Sequence, residues 1–300
     1  MFKLAASPAC AGTAMIGETV LRPALCTALA AALLVFAAAP PAGAAGFADV
    51  TTPSEPPAQV FGGYAKGCVA GAEALPPDGD GWQVMRPSRN RFWGHPTLIA
   101  FLENFAASAH AAGWPGLLVG DLAQPRGGPM SGGHRSHQTG LDVDIWFLPA
   151  PPQPLSRSQR ETVSAVSMVA EGGMALSPAW SDGHAWLLQS AALYPEVDRI
   201  FVNPAIKQAL CDSTTGDRSW LAKLRPWWGH DDHFHIGLHC PAGDGECVER
   251  PPIPAGDGCD ASLDWWFSAE AREQLRTAPP APRPTLDDLP AACRSVLFGG

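Results

Sequence analysis

"LDVDIWF", residues 141–147, alternates without a break: Leu141, Val143, Ile145 and Phe147 point one way, Asp142, Asp144 and Trp146 the other. That is the period of a strand with one apolar face and one face carrying two carboxylates. The same period returns in "HFHIGLH", residues 233–239, where Phe234, Ile236 and Leu238 oppose His233, His235 and His239. Helical spacing lies around these strands. "HPTLIAFLENFAASAHAAGW" gathers Leu98, Ile99, Leu102, Phe105 and Ala109 on one face, and Gly113 marks its end. "GLLVGDLA" follows as a buried strand and "PAPPQP" (149–154) as a loop. Two helical stretches are predicted near 156–170 and 184–193. "VDRIFVN" reads as a strand, and Pro204 opens a helix toward Cys211. The order of elements predicts an α+β fold, with a small central antiparallel sheet flanked by helices and long loops.

Gly and Pro stand at 31 each, which favours short elements joined by many loops over a helical bundle. The net charge is −9, with no basic run, so nucleic acid is excluded as a partner. At the amino end Arg22 precedes "PALCTALAAALLVFAAA", followed by small residues at Ala42 and Ala44. This reads as an export signal over 1–44, with Met15 as an alternative start and an uncleaved anchor as the rival reading. Residues 45–60 are expected to be a flexible lead-in. Residues 61–300 form a single domain, whose Pro-rich end, "APPAPRPT", is tied back by a cysteine. After the export segment no integral membrane segment remains. Six cysteines follow it: Cys68, Cys211, Cys240, Cys247, Cys259 and Cys293. An even count in an exported chain favours three disulfides and an oxidising compartment, most simply a bacterial periplasm. Spacing leaves the pairing open: Cys240 with Cys247 could close a small loop, and Cys68 with Cys293 could tie the ends.

The polar faces of the two strands need an explanation, because buried Asp and His require partners and a bound cation is the simplest. "WWGHDDHFHIGLHC" (227–240) holds four of the chain's nine histidines. "SGGHRSHQTGLDVDIW" sets His134 and His137 in a Gly- and Ser-rich loop ahead of Asp144. Imidazole and carboxylate donors suit zinc, and three of them leave a fourth tetrahedral position for water. His137, Asp144 and His235 are the expected ligands. His233 shares the face of His235 and could act as base or donor, while Asp142 could orient a ligating imidazole. Other chemistries lack their motifs. There is no His-Glu-x-x-His and no Gly-x-Ser-x-Gly, and none of Lys3, Lys66, Lys207 and Lys223 follows a Ser by three residues.

"SHQTGLDVDIW", "RIFVNPAIKQ", "LRPWWGHDDHFH" and "GDGC", with the six cysteines among them, resemble the penicillin-insensitive murein endopeptidases of Gram-negative periplasms. The likeness runs from about Cys68 to Cys293. It implies a zinc hydrolase that cuts the D-alanyl–meso-diaminopimelate cross-bridge between peptidoglycan stem peptides. It also implies a fold like that of the D-Ala-D-Ala metallopeptidases and the hedgehog domain. On the family's pattern His137, Asp144 and His235 hold the zinc, His233 and His230 are essential non-ligand imidazoles, and His134 is a ligand of a second metal. The implied disulfides are Cys68–Cys293, Cys211–Cys259 and Cys240–Cys247.

The pattern is departed from where the second metal would draw an Asp and a His. Glu171 and Met174 stand there, and a thioether is a poor zinc ligand beside an imidazole, so one catalytic ion is expected. Asp232 is a rival to His233 as base, but is read as a hydrogen-bonding support for the site. Two other functions fit the same residues. One is a D-Ala-D-Ala carboxypeptidase or dipeptidase, and the other a non-catalytic zinc-containing envelope-binding domain.

Overall fold

The computed structural model describes residues 46–132, 134–279 and 282–299, so the expected export segment lies outside the described residues. A hairpin of β1 (Gln59–Gly63) and β2 (Lys66–Ala70) comes first. The short strands β3 (Glu73–Ala74), β4 (Asp78–Gly79), β5 (Trp82–Val84) and β6 (Trp93–Gly94) lead into helix α1 (Pro96–Ala111). Strands β7 (Leu117–Val119) and β8 (Asp142–Trp146) are separated by the loop that carries His134 and His137. Helices α2 (Arg157–Thr162) and α3 (Asp182–Ala192) precede β9 (Val197–Val202) and α4 (Pro204–Ser213). Strands β10 (Leu224–Pro226) and β11 (His233–Leu238) follow, then α5 (Ala261–Asp264), α6 (Ala269–Thr277) and α7 (Ala292–Phe298).

Among the described residues seven strands form the main sheet, in the order β10-β9-β11-β8-β7-β5-β4. Its centre, β9-β11-β8-β7, is antiparallel, as the alternation predicts, and a parallel pair, β10–β9 or β5–β7, extends each flank. Val143, Ile145, Phe234, Ile236 and Leu238 join one buried apolar cluster with Leu98, Leu102 and Phe105 of α1 and Leu187 and Leu188 of α3. Burying a side chain of this size contributes about 1.5–3 kcal/mol, so the register of β8 and β11 is firmly set. A slip of one residue would turn the carboxylates and imidazoles into that core. Instead the register sets His235 opposite Asp144, and Gly237 opposite Asp142.

Two stretches differ from expectation. The helix predicted over 156–170 stops at Thr162. Beyond it the backbone bonds elsewhere: Val163 O accepts from Arg86 Nη2 at 2.7 Å, Ser167 Oγ accepts from Val169 N at 3.1 Å, and Met168 N donates to Asp231 O at 2.7 Å. Beyond Cys247, where Pro and Gly dominate, the chain still forms α5, α6 and α7. Among the described residues three disulfides are present, Cys68–Cys293, Cys211–Cys259 and Cys240–Cys247. Within the stretch read as a lead-in, Phe47 is buried against Cys68, Cys293 and Leu297. No helix among the described residues is long and apolar enough to cross a membrane.

Candidate metal centre

Asp142 and Asp144 are both buried, on the polar side of β8. Asp144 is the hub. Its Oδ1 lies 3.0 Å from His235 Nδ1, 3.3 Å from His137 Nε2 and 3.8 Å from His233 Nε2, while its Oδ2 lies 3.4 Å from His134 Nδ1. Burial pushes its carboxyl upward, but His137, His233 and His235 outweigh that and hold it well below the usual range. Asp142 accepts from His235 Nε2 at 2.8 Å and from Arg250 Nη2. It too is held below the usual range, because Arg250 and His235 overcome its burial.

His137 is wholly buried; its Nδ1 has no hydrogen-bond partner, and its Nε2 makes no aligned hydrogen bond, only the 3.3 Å approach to Asp144 Oδ1. Its backbone takes the left-handed conformation, φ 65°, as does that of His230, φ 52°. Such geometry is uncommon outside glycine and costs free energy, so the surrounding structure must hold both rings in place. Imidazole nitrogens short of a good hydrogen bond and away from water are costly unless something else takes a lone pair. Donor atoms of His134, His137 and Asp144 lie within 4.8 Å of one another, a group that could hold a metal ion. His235 joins them through Asp144. Because Asp142 accepts from Nε2–H, Nδ1, the nitrogen beside Asp144, is the one His235 would turn to an ion. Two imidazoles and a carboxylate around one point are a fitting donor set for zinc.

Two further imidazoles border this group. His233 Nδ1 donates to Asp232 Oδ1 at 2.6 Å, which leaves Nε2 facing Asp144. Burial lowers its pKa, but the carboxylates of Asp144, Asp232 and Asp231 outweigh this and raise it. His230 Nδ1 donates to Trp228 O at 3.2 Å, and its ring centroid lies 5.0 Å from that of His233. Burial, with the nearby imidazoles of His235 and His233, lowers its pKa to about 4. The ring is therefore neutral and offers a lone pair on Nε2. Phe201, opposite His235 across β9 and β11, extends the wall to the exposed Trp227, 5.8 Å away between ring centroids.

The structure brings His134, His137, Asp144, His233, His235, Asp142, Asp232 and His230 into one neighbourhood. Glu171 and Met174 do not belong to the convergent group: both are exposed, and Met174 Sδ lies 3.9 Å from Arg272 Nη1. The other histidines are occupied elsewhere. His95 and His184 cap α1 and α3, His110 pairs with Asp80, and His239 faces Glu249 at 3.5 Å. Two participants were not foreseen. Asp121, just after β7, accepts from His134 Nε2 at 3.0 Å, and with Arg91 and Arg89 this holds its buried carboxyl at about 2. Arg250 reaches Asp142 from 108 residues away. Neither lies on the strands whose alternation marked the site.

A buried group of imidazoles and carboxylates, with the rings of Phe201 and Trp227 beside it, is the donor set of a metal centre. The family model described as penicillin-insensitive murein endopeptidase matches residues 60–298. The chain belongs to that family. A penicillin-insensitive murein endopeptidase of Klebsiella pneumoniae subsp. pneumoniae is 42% identical over 268 residues, covering 89% of this chain and 96% of the relative. One of Haemophilus influenzae is 45% identical over 218 residues (70% and 73%), and one of Salmonella arizonae 42% over 253 residues (83% and 89%).

Proposed function

We propose that this chain is a zinc-dependent murein endopeptidase that hydrolyses the D-alanyl–meso-diaminopimelate cross-bridge of peptidoglycan in the periplasm. The observation that carries the reading is His137, sealed from water with neither nitrogen in an aligned hydrogen bond, its Nε2 and the Nδ1 of His235 both facing Asp144 Oδ1. His137, Asp144 and His235 would hold the ion, with His134 at its margin. When bound, zinc supplies a Lewis acid that acidifies water and polarises a carbonyl.

His233 moves the proton. Anchored by Asp232, its Nε2 faces the centre, where it takes a proton from the attacking water and returns it to the departing amine. Asp232 is committed to that anchoring and is not the base. His230 is neutral with its donor nitrogen spent on Trp228 O, so it accepts from the N–H of the leaving amine through Nε2. Trp227 and Phe201 would wall the substrate groove on that side. Lys223 donates to Tyr194 O at 3.0 Å and is engaged there.

The test is digestion of purified cross-linked muropeptide dimers, with metal removed and restored. Dimer cleavage lost on chelation and regained with zinc is the expected result. Cleavage indifferent to chelation would sink the metal reading. Release of free D-alanine without loss of dimers would point to a carboxypeptidase, and zinc binding without any hydrolysis to a binding domain.

A further inference from the structure

Gly237 lies directly opposite Asp142 on the neighbouring strand. Glycine inside a strand weakens it, and often marks a place where another group comes close. Here that group is the guanidinium of Arg250: a Cβ added at Gly237 would stand 2.7 Å from its Cζ, Nη1 and Nη2. The guanidinium lies in the slot above the ladder. Nη2 donates to Asp142 Oδ1, Nη1 donates to Leu238 O at 3.1 Å, and the Tyr64 ring covers it at 4.8 Å. Only 6% of the Arg250 side chain is exposed.

The oxygen it contacts, Asp142 Oδ1, is the one that accepts from His235 Nε2. A carboxylate sealed from water needs a countercharge, and an imidazole whose other nitrogen holds a metal brings no proton charge of its own. Arg250 supplies it. The carboxylate can then act purely as an acceptor, which holds the proton on Nε2 and the lone pair on Nδ1. The segment bearing Arg250 is itself tethered. The Cys240–Cys247 bridge turns the chain back, Gly62 N donates to Glu246 O at 2.9 Å, and Val248 N donates to Gly62 O at 3.0 Å. Arg250 follows three residues after that bridge.

We propose that Arg250, acting through Asp142, is a positioning residue that sets the orientation and tautomer of His235 for metal binding, and that Gly237 is the slot that admits it. This rests on the reading of His235 as a ligand. The test is the zinc affinity of the purified chain, by competition with a chromogenic chelator, beside urea midpoints. Arg250→Met weakens zinc binding roughly 10–100-fold, and Arg250→Lys recovers part of the loss. Gly237→Val reproduces the loss with Arg250 still present, and stands in if Arg250→Met does not fold. Arg250→Met with Asp142→Asn binds no more weakly than Asp142→Asn alone, because both act through one path. Wild-type affinity in folded Arg250→Met, or fully additive losses, overturns the inference and leaves the ligand reading intact. A wild-type chain without zinc affinity, or His235→Ala binding as tightly as wild type, overturns both.

Discussion

Two polar groups are sealed in this molecule in opposite ways. Lys207, on the buried face of α4, spends its ammonium on Leu221 O at 2.7 Å and Asp257 O at 2.6 Å. Beside it the Cys211–Cys259 bridge and Arg218, which donates to Asp257 Oδ2 at 2.8 Å and to Cys211 O at 2.8 Å, bind the "GDGC" turn to α4. That cluster is closed on itself. His137 is as deeply buried, yet neither of its nitrogens makes an aligned hydrogen bond. The difference separates two uses of buried polarity: a group with its bonds made holds chain to chain, and one with bonds unmade is kept for a ligand.

The comparison breaks most easily at the open cluster. His235→Ala should cut muropeptide cleavage roughly a thousandfold or more, since a Lewis acid supplies several kcal/mol and each 1.36 kcal/mol is about tenfold. Its urea midpoint should change far less than its rate. At the closed cluster the expectation is reversed. Lys207→Met leaves two buried carbonyls unpaired and should cost about 3 kcal/mol of stability in urea titrations, with KM and kcat of the folded fraction unchanged. A Lys207→Met chain that is stable but inactive would erase the distinction.

A gentler test uses pH. Burial, with Arg225 nearby, lowers the Lys207 pKa to about 8, whereas in the unfolded chain it lies near ~10.4. Between these values the unfolded chain binds more protons, so the Lys207 contribution to stability rises with pH across that window. The urea midpoint of wild type minus that of Lys207→Met should therefore climb from pH 8 to about pH 10. A flat difference would mean that the amine stays charged. The smallest effect belongs to Trp227, the proposed wall of the substrate groove: Trp227→Ala should lose about 0.5–1.5 kcal/mol of aromatic contact, a roughly two- to tenfold rise in KM with kcat held.

The open cluster was legible because its residues sit on a regular element. Alternation at β8 and β11 separates Asp142, Asp144, His233 and His235 from the core, and a shared register makes them neighbours. His137 was legible through its spacing from Asp144, although its left-handed backbone was not. Arg250 and Asp121 escaped for a common reason: each reaches the site from outside the regular strands, where no periodicity reports direction. The helix predicted past Thr162 failed because local pattern does not reveal that Val163 and Met168 have backbone partners elsewhere in the chain. In the C-terminal region, Pro and Gly content masked short helices whose caps, such as Ser268 for α6 and Asp260 for α5, are plain once the backbone is seen.

The bridge between β2 and α7 also bears on the order in which the molecule is completed. Cys68 and Cys293 are 225 residues apart, whereas the other two pairs span 48 and 7. A chain made from its amino end exposes Cys68 while Cys211, Cys240, Cys247 and Cys259 arrive, all of them before its true partner. Short loops close faster and at lower entropic cost than long ones. The two local bridges can thus form first and withdraw four wrong partners, so that when Cys293 emerges Cys68 is the one thiol still unclaimed among the described cysteines. Fidelity of the last bond is set by timing in the other two.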